Sequence, residues 1–437
     1  GLADGVGSGP QSRGAGIYGV DASPRLENLI IIQCDANQPG SAIHLRGTTT
    51  QTADIFDCQI VDNTGEVAVW ATVSVFIDDS VFSGNECVSV QLEGDTFSSI
   101  ARTRFSGNVS SNRQGTVVIA MDSGSSFTEI ADCEFISNSA RAAGGIYYIG
   151  RGDHELRGTT LRRNTCVLST IGGGAVYLNL DQPTDSVTIE NSLLIGNTAP
   201  GEGGAITKDG QSVLAIVGST ITGNIVPIPI AAAISSSGGS LVLSNSIVSG
   251  NINSPANNNE RGQIFVPTPA TASADRCIIQ ALGAGPAANI NATNSTSADP
   301  MFVDANGGDD IFGTGDDNVR LMPGSPAIDA GNNLYVGPLV LGDIYNQPRF
   351  ADDTGTPDTG VDGGLPPIVD IGAAEFQGTT PGACVADTNG DGLLTPTDFN
   401  GWIIAFNAQA PACDQNGDDP AVEVRGGQQP VAVGVRD

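Results

Sequence analysis

The sequence predicts an all-β chain built on a parallel β-helix, a solenoid in which the short strands of successive coils stack in register. Three observations point there. Nine segments end on asparagine, at Asn37, Asn63, Asn85, Asn108, Asn138, Asn164, Asn197, Asn224 and Asn251, with spacings of 26, 22, 23, 30, 26, 33, 27 and 27 residues. Large and small residues recur at fixed distances before each asparagine. No segment of the array carries an apolar pattern of period 3.6 long enough for a helix, which removes helical repeats of similar length.

Aligned on the asparagine, the position eight before it holds Leu29, Ile55, Ile77, Ile100, Ile130, Leu156, Ile189, Ile216 and Leu243. The position three before it holds Cys34, Ile60, Phe82, Phe105, Phe135, Leu161, Leu194, Ile221 and Val248. Between them, from the second repeat on, stand Cys58, Ser80, Thr103, Cys133, Thr159, Ser192, Ser219 and Ser246. Short runs of alternating apolar residues mean strand, and the Gly, Asn and Ser between them mean turns. After most of the asparagines comes a further strand led by small residues, as in Gly144-Gly145-Ile146-Tyr147, Gly173-Gly174-Ala175-Val176-Tyr177 and Gly203-Gly204-Ala205-Ile206. A propeller blade would need hairpins and about 40 residues. In a parallel coil the columns pile up about 4.8 Å apart, the asparagines can ladder their amides at one corner, and nine coils make a rod of roughly 40 Å. Gly14-Ala15-Gly16-Ile17-Tyr18 reads as the post-asparagine strand of a coil whose first half is missing, so the array is expected to have lost an N-terminal cap and a secretion signal.

Composition narrows the function classes. The 437 residues carry 48 acids against 18 bases, one of them lysine (Lys208), for a net charge of −30. A basic face for nucleic acid or anionic lipid is not expected. From Asp299 to Pro420 there are 20 acidic residues and only Arg320 and Arg349 to oppose them. Such a stretch invites divalent cations. The longest apolar run, Ile225 to Ile234, is broken by Pro227 and Pro229 and falls short of the roughly 18 residues of a membrane span. Eight cysteines without a CxxC or a Cys/His cluster argue against zinc and thioredoxin-type chemistry. Cys58 and Cys133 share a column but lie three coils, about 14 Å, apart, too far to bridge.

The repeat resembles the right-handed parallel β-helix proteins of bacterial surfaces, over about residues 14–298. That resemblance implies a pectate-lyase-like solenoid and no particular activity, since the fold hosts lyases, hydrolases, tailspikes, adhesins and plain surface proteins. From Asp299 the pattern changes. Asp299-Pro300-Met301-Phe302, Ser325-Pro326-Ala327-Ile328-Asp329-Ala330-Gly331, Gln347-Pro348-Arg349 and Val369-Asp370-Ile371-Gly372-Ala373-Ala374-Glu375 follow in order. They resemble the closing segment of choice-of-anchor Q surface proteins, with Ala374 in place of the usual Tyr. Between them, Asp304 to Asp310 and Gly315 to Asn318 alternate acids and Asn with Gly. They could hold calcium, or cap backbone N–H groups in acidic turns.

The sharpest motif is Asp387-Thr388-Asn389-Gly390-Asp391-Gly392-Leu393-Leu394-Thr395-Pro396-Thr397-Asp398. Asp387, Asn389 and Asp391 stand at loop positions 1, 3 and 5, Gly392 at the sharp turn, the Leu393 carbonyl at 7 and Asp398 at 12. This is the EF-hand arrangement for Ca²⁺, which wants six to eight oxygens from a loop wrapped around it. Thr395 can cap the following helix with Pro396 at its first position. The loop, with Cys384 before it and Cys413 after its helix, resembles a Cys-containing dockerin, a module that carries secreted proteins to a cohesin or surface receptor. The resemblance implies two loops, yet the second fails: Asp414, Asn416 and Asp418 are in place, but Asp419 replaces the turn Gly and Arg425 the closing acid. Cys384 and Cys413 are expected to pair in an oxidising compartment.

No catalytic residue is assigned. A lyase on this fold needs an Arg or Lys base beside calcium-holding acids, and a glycosidase needs two carboxylates about 5 to 9.5 Å apart. Asp54 and Asp57, Asp78 and Asp79, Asp132 and Glu134, with Arg102, Arg104, Arg162 and Arg163, lie outward, where a solenoid is expected to be charged. His44 and His154 have no Ser or Cys partner in a motif and read as surface residues. The expected organisation is a β-helix over 1–298, an irregular acidic segment packed on the last coils over 299–377, a dockerin-like calcium module over 378–419 and a disordered tail over 420–437. The expected function is that of a secreted or cell-surface bacterial protein that binds polysaccharide or another surface glycan, anchored through Ca²⁺ and a cohesin-like receptor. The rival is an extracellular polysaccharide lyase or glycosidase, which a cleft with an arginine among clustered carboxylates would favour.

Overall fold

Three strands per coil, separated by residues suited to tight corners, stack into three parallel sheets of 12, 11 and 10 strands. The computed structural model describes residues 2–3 and 16–378, apart from 37–38, 49, 111–112, 169–171, 257–258 and 286–288. The chain divides into two units, Gly1–Gln377 and Gly378–Asp437, and the first holds the solenoid and the segment after it. The calcium loop with Asp387, Asn389, Asp391, Leu393 and Asp398 lies outside the described residues, as do Cys384, Cys413 and residues 4–15.

Sheet I contains the small-residue-led strands, among them Ile43–Arg46, Thr64–Ala71, Ala143–Gly150, Val176–Leu180 and Ile206–Gly210. Sheet II runs from Arg25–Glu27 to Ile290–Thr293, and sheet III from Ile30–Ile32 to Ile278–Ile279. Ten steps between the eleven strands of sheet II give a rod of about 48 Å. Gly174 shows why small residues lead in sheet I: a Cβ there would stand 2.1 Å from the Gly204 carbonyl of the next coil. Ile17–Val20 pairs with Ile43–Arg46, so the strand seen at Ile17-Tyr18 does belong to sheet I.

The apolar columns are continuous. Ile55, Ile77, Ile100, Ile130, Leu156, Ile189, Ile216 and Leu243 face inward in register from sheet II. In sheet III, Phe82, Phe105 and Phe135 stack with ring centroids 4.8 and 4.6 Å apart. The first coil is the exception to the alignment. Ile31 pairs with Ile60 and Leu26 with Ile55, so the coil is offset by three residues from the one anchored on Asn37. Cys34 takes the anchor place: its N–H donates to Asn63 Oδ1 at 2.9 Å, as the asparagine N–H groups do in later coils.

Both corners of sheet III turn on a single residue in the left-handed region. At the sheet II corner, Asp57, Asp79, Asp132, Asn191 and Asn245 have φ between 47° and 53°. Asp and Asn tolerate this conformation better than other residues with a Cβ. The small residue that follows forms a ladder. Cys58, Cys133, Ser192 and Ser219 donate their N–H to the hydroxyls of Ser80, Thr159, Ser219 and Ser246 in the next coil, at 3.1 to 3.2 Å. At the other corner the asparagines form a second ladder. From Asn63 to Asn224, each backbone N–H and each Nδ2 donates to Oδ1 of the next asparagine, at 2.8 to 3.1 Å. From Asn85 to Asn251 every Oδ1 thus accepts twice, while Asn63 Oδ1 accepts from Cys34 N–H, so each buried amide of the row is met by partners.

Both histidines depart from expectation, because each is buried. His44 is stacked between Tyr18 and Trp70 on sheet I, with Nδ1 2.8 Å from the Pro39 carbonyl. His154 lies in an inward column of sheet II against Tyr148, and burial lowers its pKa to about 4. Lys208 also points inward, in register with Leu178, and donates to the carbonyls of Gly210 and Gly238. Cys34, Cys58, Cys87, Cys133, Cys166 and Cys277 are all buried.

Candidate functional site

The outer face of sheet III is divided. Upstream it is open, with Ile30 and Ile32 at 66% and 47% exposure. Its middle coils carry Gln59, Val81, Arg104 and Glu134 in one outward column. Further on, the same columns turn apolar and are covered: Leu193, Ile195, Ile247 and Ile278 are buried. The cover is the chain after the solenoid. Val319, Phe312, Ile344 and Tyr345 pack on Leu193 and Ile195, while Leu321, Ile328, Ile371 and Phe376 pack on Ile247 and Ile278.

Corner residues of the solenoid fasten this closing segment. Asn191 Nδ2 donates to the Gly342 carbonyl at 3.0 Å. Asn245 exchanges two hydrogen bonds of 2.9 Å with the backbone of Asn332, and Arg276 Nη1 donates to the carbonyls of Ala330 and Thr359. Within the segment the four ordered motifs converge. Ser325 Oγ donates to the Pro300 carbonyl at 2.7 Å. Asp370 accepts from the N–H groups of Asp329 and Phe376, and Glu375 accepts from Asp370 N–H and lies 3.3 Å from Arg349. Burial pushes Asp370 up to about 7 and Glu375 well above the ordinary carboxylate range, since one guanidinium cannot compensate two desolvated acids. Two residues long separated in sequence, Arg349 and Glu375, thereby hold the fold of the segment.

Where the cover ends, a step runs across sheet III and forms a cleft of about 360 Å³. Asp132, Glu134, Arg157, Thr160 and Asn191 make its solenoid wall, and residues 339–344 its other wall, with Leu339 and Leu341 exposed at the lip. A second hollow shares Glu134, Thr160 and Ile344 and continues past Arg162, Thr314 and Asp317. Arg157 is the centre of charge here. It donates to Glu129 at 2.6 Å and lies 3.4 Å from Glu155. Burial by itself would lower the guanidinium's pKa, but Glu129, Asp132 and Glu155 together raise it. Burial also raises the pKa of Glu155, and that of Glu190, whose carboxylate accepts from Gly337 N–H at 2.6 Å.

The residues singled out from sequence fall in several places. Asp57, Asp79 and Asp132 are corner residues, and so is Arg102, whose guanidinium is paired with Asp78 and Asp79. Arg104 pairs with Glu134 at 2.9 Å on the open face. Arg162 donates to the Thr314 carbonyl beside the second hollow, and Arg163 turns the corner before Asn164. The acids of 304–318 are turned onto local partners: Asp309 accepts from Ile311 N–H, Asp317 from Gly313 N–H, and Thr314 Oγ1 lies against Asp309, Asp316 and Asp317. Arg157, Glu129, Glu155 and Glu190 escaped the sequence reading. Their signal was a local change from small to charged side chains along outward columns, as in Ala101, Ala131, Arg157 and Glu190, and in Ser99, Glu129 and Glu155.

A family model described as "Right handed beta helix region" matches residues 11–166. With the stacked parallel coils, that match makes the fold a right-handed parallel β-helix. No curated protein and no solved structure matches the chain. Among the described residues, no helix is long and apolar enough to cross a membrane.

Proposed function

We propose that this chain is a secreted or cell-surface protein that binds carbohydrate, or another extended surface ligand, on the open half of sheet III, the ligand ending in the cleft against the closing segment. In this reading residues 378–419 add a dockerin-like anchor that holds Ca²⁺ through Asp387, Asn389, Asp391, the Leu393 carbonyl and Asp398 and engages a cohesin-like receptor. The observation that carries the binding half is the cleft at the step. An open strand face of mixed polar and apolar side chains leads into it, planar polar groups of Arg157, Glu134 and Asn191 line it, and Leu339 and Leu341 offer apolar contact at its lip. Sugars are held by this combination of fixed hydrogen-bonding groups and apolar surface.

The rival reading, a polysaccharide lyase or glycosidase, is favoured by the same Arg157 among Glu129, Glu155 and Asp132. A base must give up its proton, however, and these acids hold the guanidinium in its charged form, which suits an anchor for ligand oxygens better. Titration of the full chain with a panel of neutral and acidic polysaccharides is expected to find a ligand whose affinity drops about tenfold in Arg157→Ala, the loss of one charge-assisted contact. Absorbance from unsaturated product in the presence of Ca²⁺ would instead establish the lyase. For the anchor, Asp387→Ala is expected to remove one bound Ca²⁺ from the calorimetric stoichiometry, and an unchanged stoichiometry would refute the loop.

A further inference from the structure

The closing segment contains a group of three carboxylates, and the nearby Arg276 spends its Nη1 on the carbonyls of Ala330 and Thr359. Asp329, Asp352 and Asp358 each offer an oxygen, and the three oxygens lie within 4.8 Å of one another. Asp352 and Asp358 are exposed, whereas Asp329 is fully buried. Neither oxygen of Asp329 has a hydrogen-bond partner. The Asp353 amide is near enough to favour the charged form a little, but not aligned to bond it.

A desolvated carboxylate without donors is costly, and two further acids beside it make it worse. Two things relieve it: a proton, or a cation. Elsewhere in the segment buried acids are met by backbone N–H groups, as at Asp370 and Asp343, so the missing donors at Asp329 are particular to this place. The backbone holds the three acids together. Thr359 and Gly360 donate to the Asp329 carbonyl at 3.0 and 2.9 Å, and Thr356 donates to Asp353, which folds the loop carrying Asp352 and Asp358 back onto Asp329.

We propose that Asp329, Asp352 and Asp358 form a site for a hard divalent cation, calcium, that ties the loop of residues 352–360 to the closing segment. Oxygens around Ca²⁺ sit about 2.4 Å from the ion and so lie within about 4.8 Å of each other, the spread found here. One buried ligand fixes the position, and two exposed ones leave room for the waters that complete a shell of six to eight oxygens. The site shares no residue with the loop at Asp387.

The test uses the full chain carrying Asp387→Ala, so that the other calcium loop is silent. Calorimetry is expected to find one bound Ca²⁺ and a higher Tm in its presence. Adding Asp352→Ala and Asp358→Ala, both at exposed positions that leave the fold intact, is expected to abolish both effects. Absence of Ca²⁺ binding in the Asp387→Ala chain would overturn the proposal. So would binding that survives the two further substitutions, which would place the ion elsewhere, as among the acids of 304–318.

Discussion

The guanidinium of Arg349 lies 3.3 Å from the carboxylate of Glu375, and both side chains are shut off from solvent, at 1% and 0% exposure. Arg349 also donates to the carbonyls of Gly372 and Asp370, so one side chain joins two of the four motifs of the closing segment. Removing one member of a buried pair leaves the other uncompensated, at about 3–5 kcal/mol. Arg349→Met is therefore expected to lower the urea midpoint of the closing segment strongly, and the double variant with Glu375→Leu to recover much of the loss. Equal destabilisation by the single and double variants would show that the charge pair is not what matters.

The asparagine ladder predicts a second cost. In Asn138→Ala, Asn108 loses the acceptor for its N–H and its Nδ2, and Phe105 O and Asn164 Oδ1 lose a donor. Buried groups left unpaired cost about 1–3 kcal/mol each, so a loss of at least about 3 kcal/mol is expected by chemical denaturation. Ser106→Ala, on the outer side of the preceding coil, is expected to stay within about 0.5 kcal/mol.

Lys208 predicts a pH dependence on the alkaline side. Burial lowers its pKa to about 8, from 10.5. Between these values the unfolded chain binds the proton that the folded chain has lost, so stability from this group rises with pH across that window. Lys208→Met is expected to be more stable than the parent at neutral pH and to lose the rise. Buried thiols such as Cys87 and Cys133, raised to about 12, pull the other way above pH 9, so the test is the difference between parent and variant: a difference that stays constant from pH 8 to 10.5 would contradict the burial of the charge.

The acids of the closing segment act in the opposite sense. Burial, with Asp352 and Asp358 nearby, raises Asp329 to about 6, and burial raises Asp370 to about 7, from 3.8. Across this interval the folded chain keeps protons that the unfolded chain releases, so stability falls as pH rises from about 4 to about 7. Calcium-free protein is expected to show that fall in thermal unfolding, and saturating Ca²⁺ to reduce the part due to Asp329. A midpoint that climbs over the same range would count against these buried acids.

Repetition made most of the solenoid legible. Ile100, Phe105 and Asn108 could be placed because neighbouring coils repeat the same pattern and so check one another. The first coil lacks that check on one side, and Asn37 imitated an anchor that belongs to Cys34. Lys208 and His154 sit in columns that are otherwise mostly apolar or small, where a polar residue alone carries no sign of direction. The cleft was beyond a reading by period, since it depends on Asn191 meeting Gly342 across 151 residues of chain. The closing motifs were visible as words, while the meeting of Arg349, Asp370 and Glu375 emerges only on folding.

The asparagine row has an electrical sense as well. Each amide turns its N–H toward the following coil and accepts from the one before, so the side-chain dipoles from Asn63 to Asn251 point the same way along the rod. Aligned amides add as they do in an α-helix, to roughly half a charge at each end. The positive pole meets Gln263 Oε1 and the negative pole the Cys34 N–H. Both poles thus end on buried partners inside the rod and are not presented to solvent at its ends.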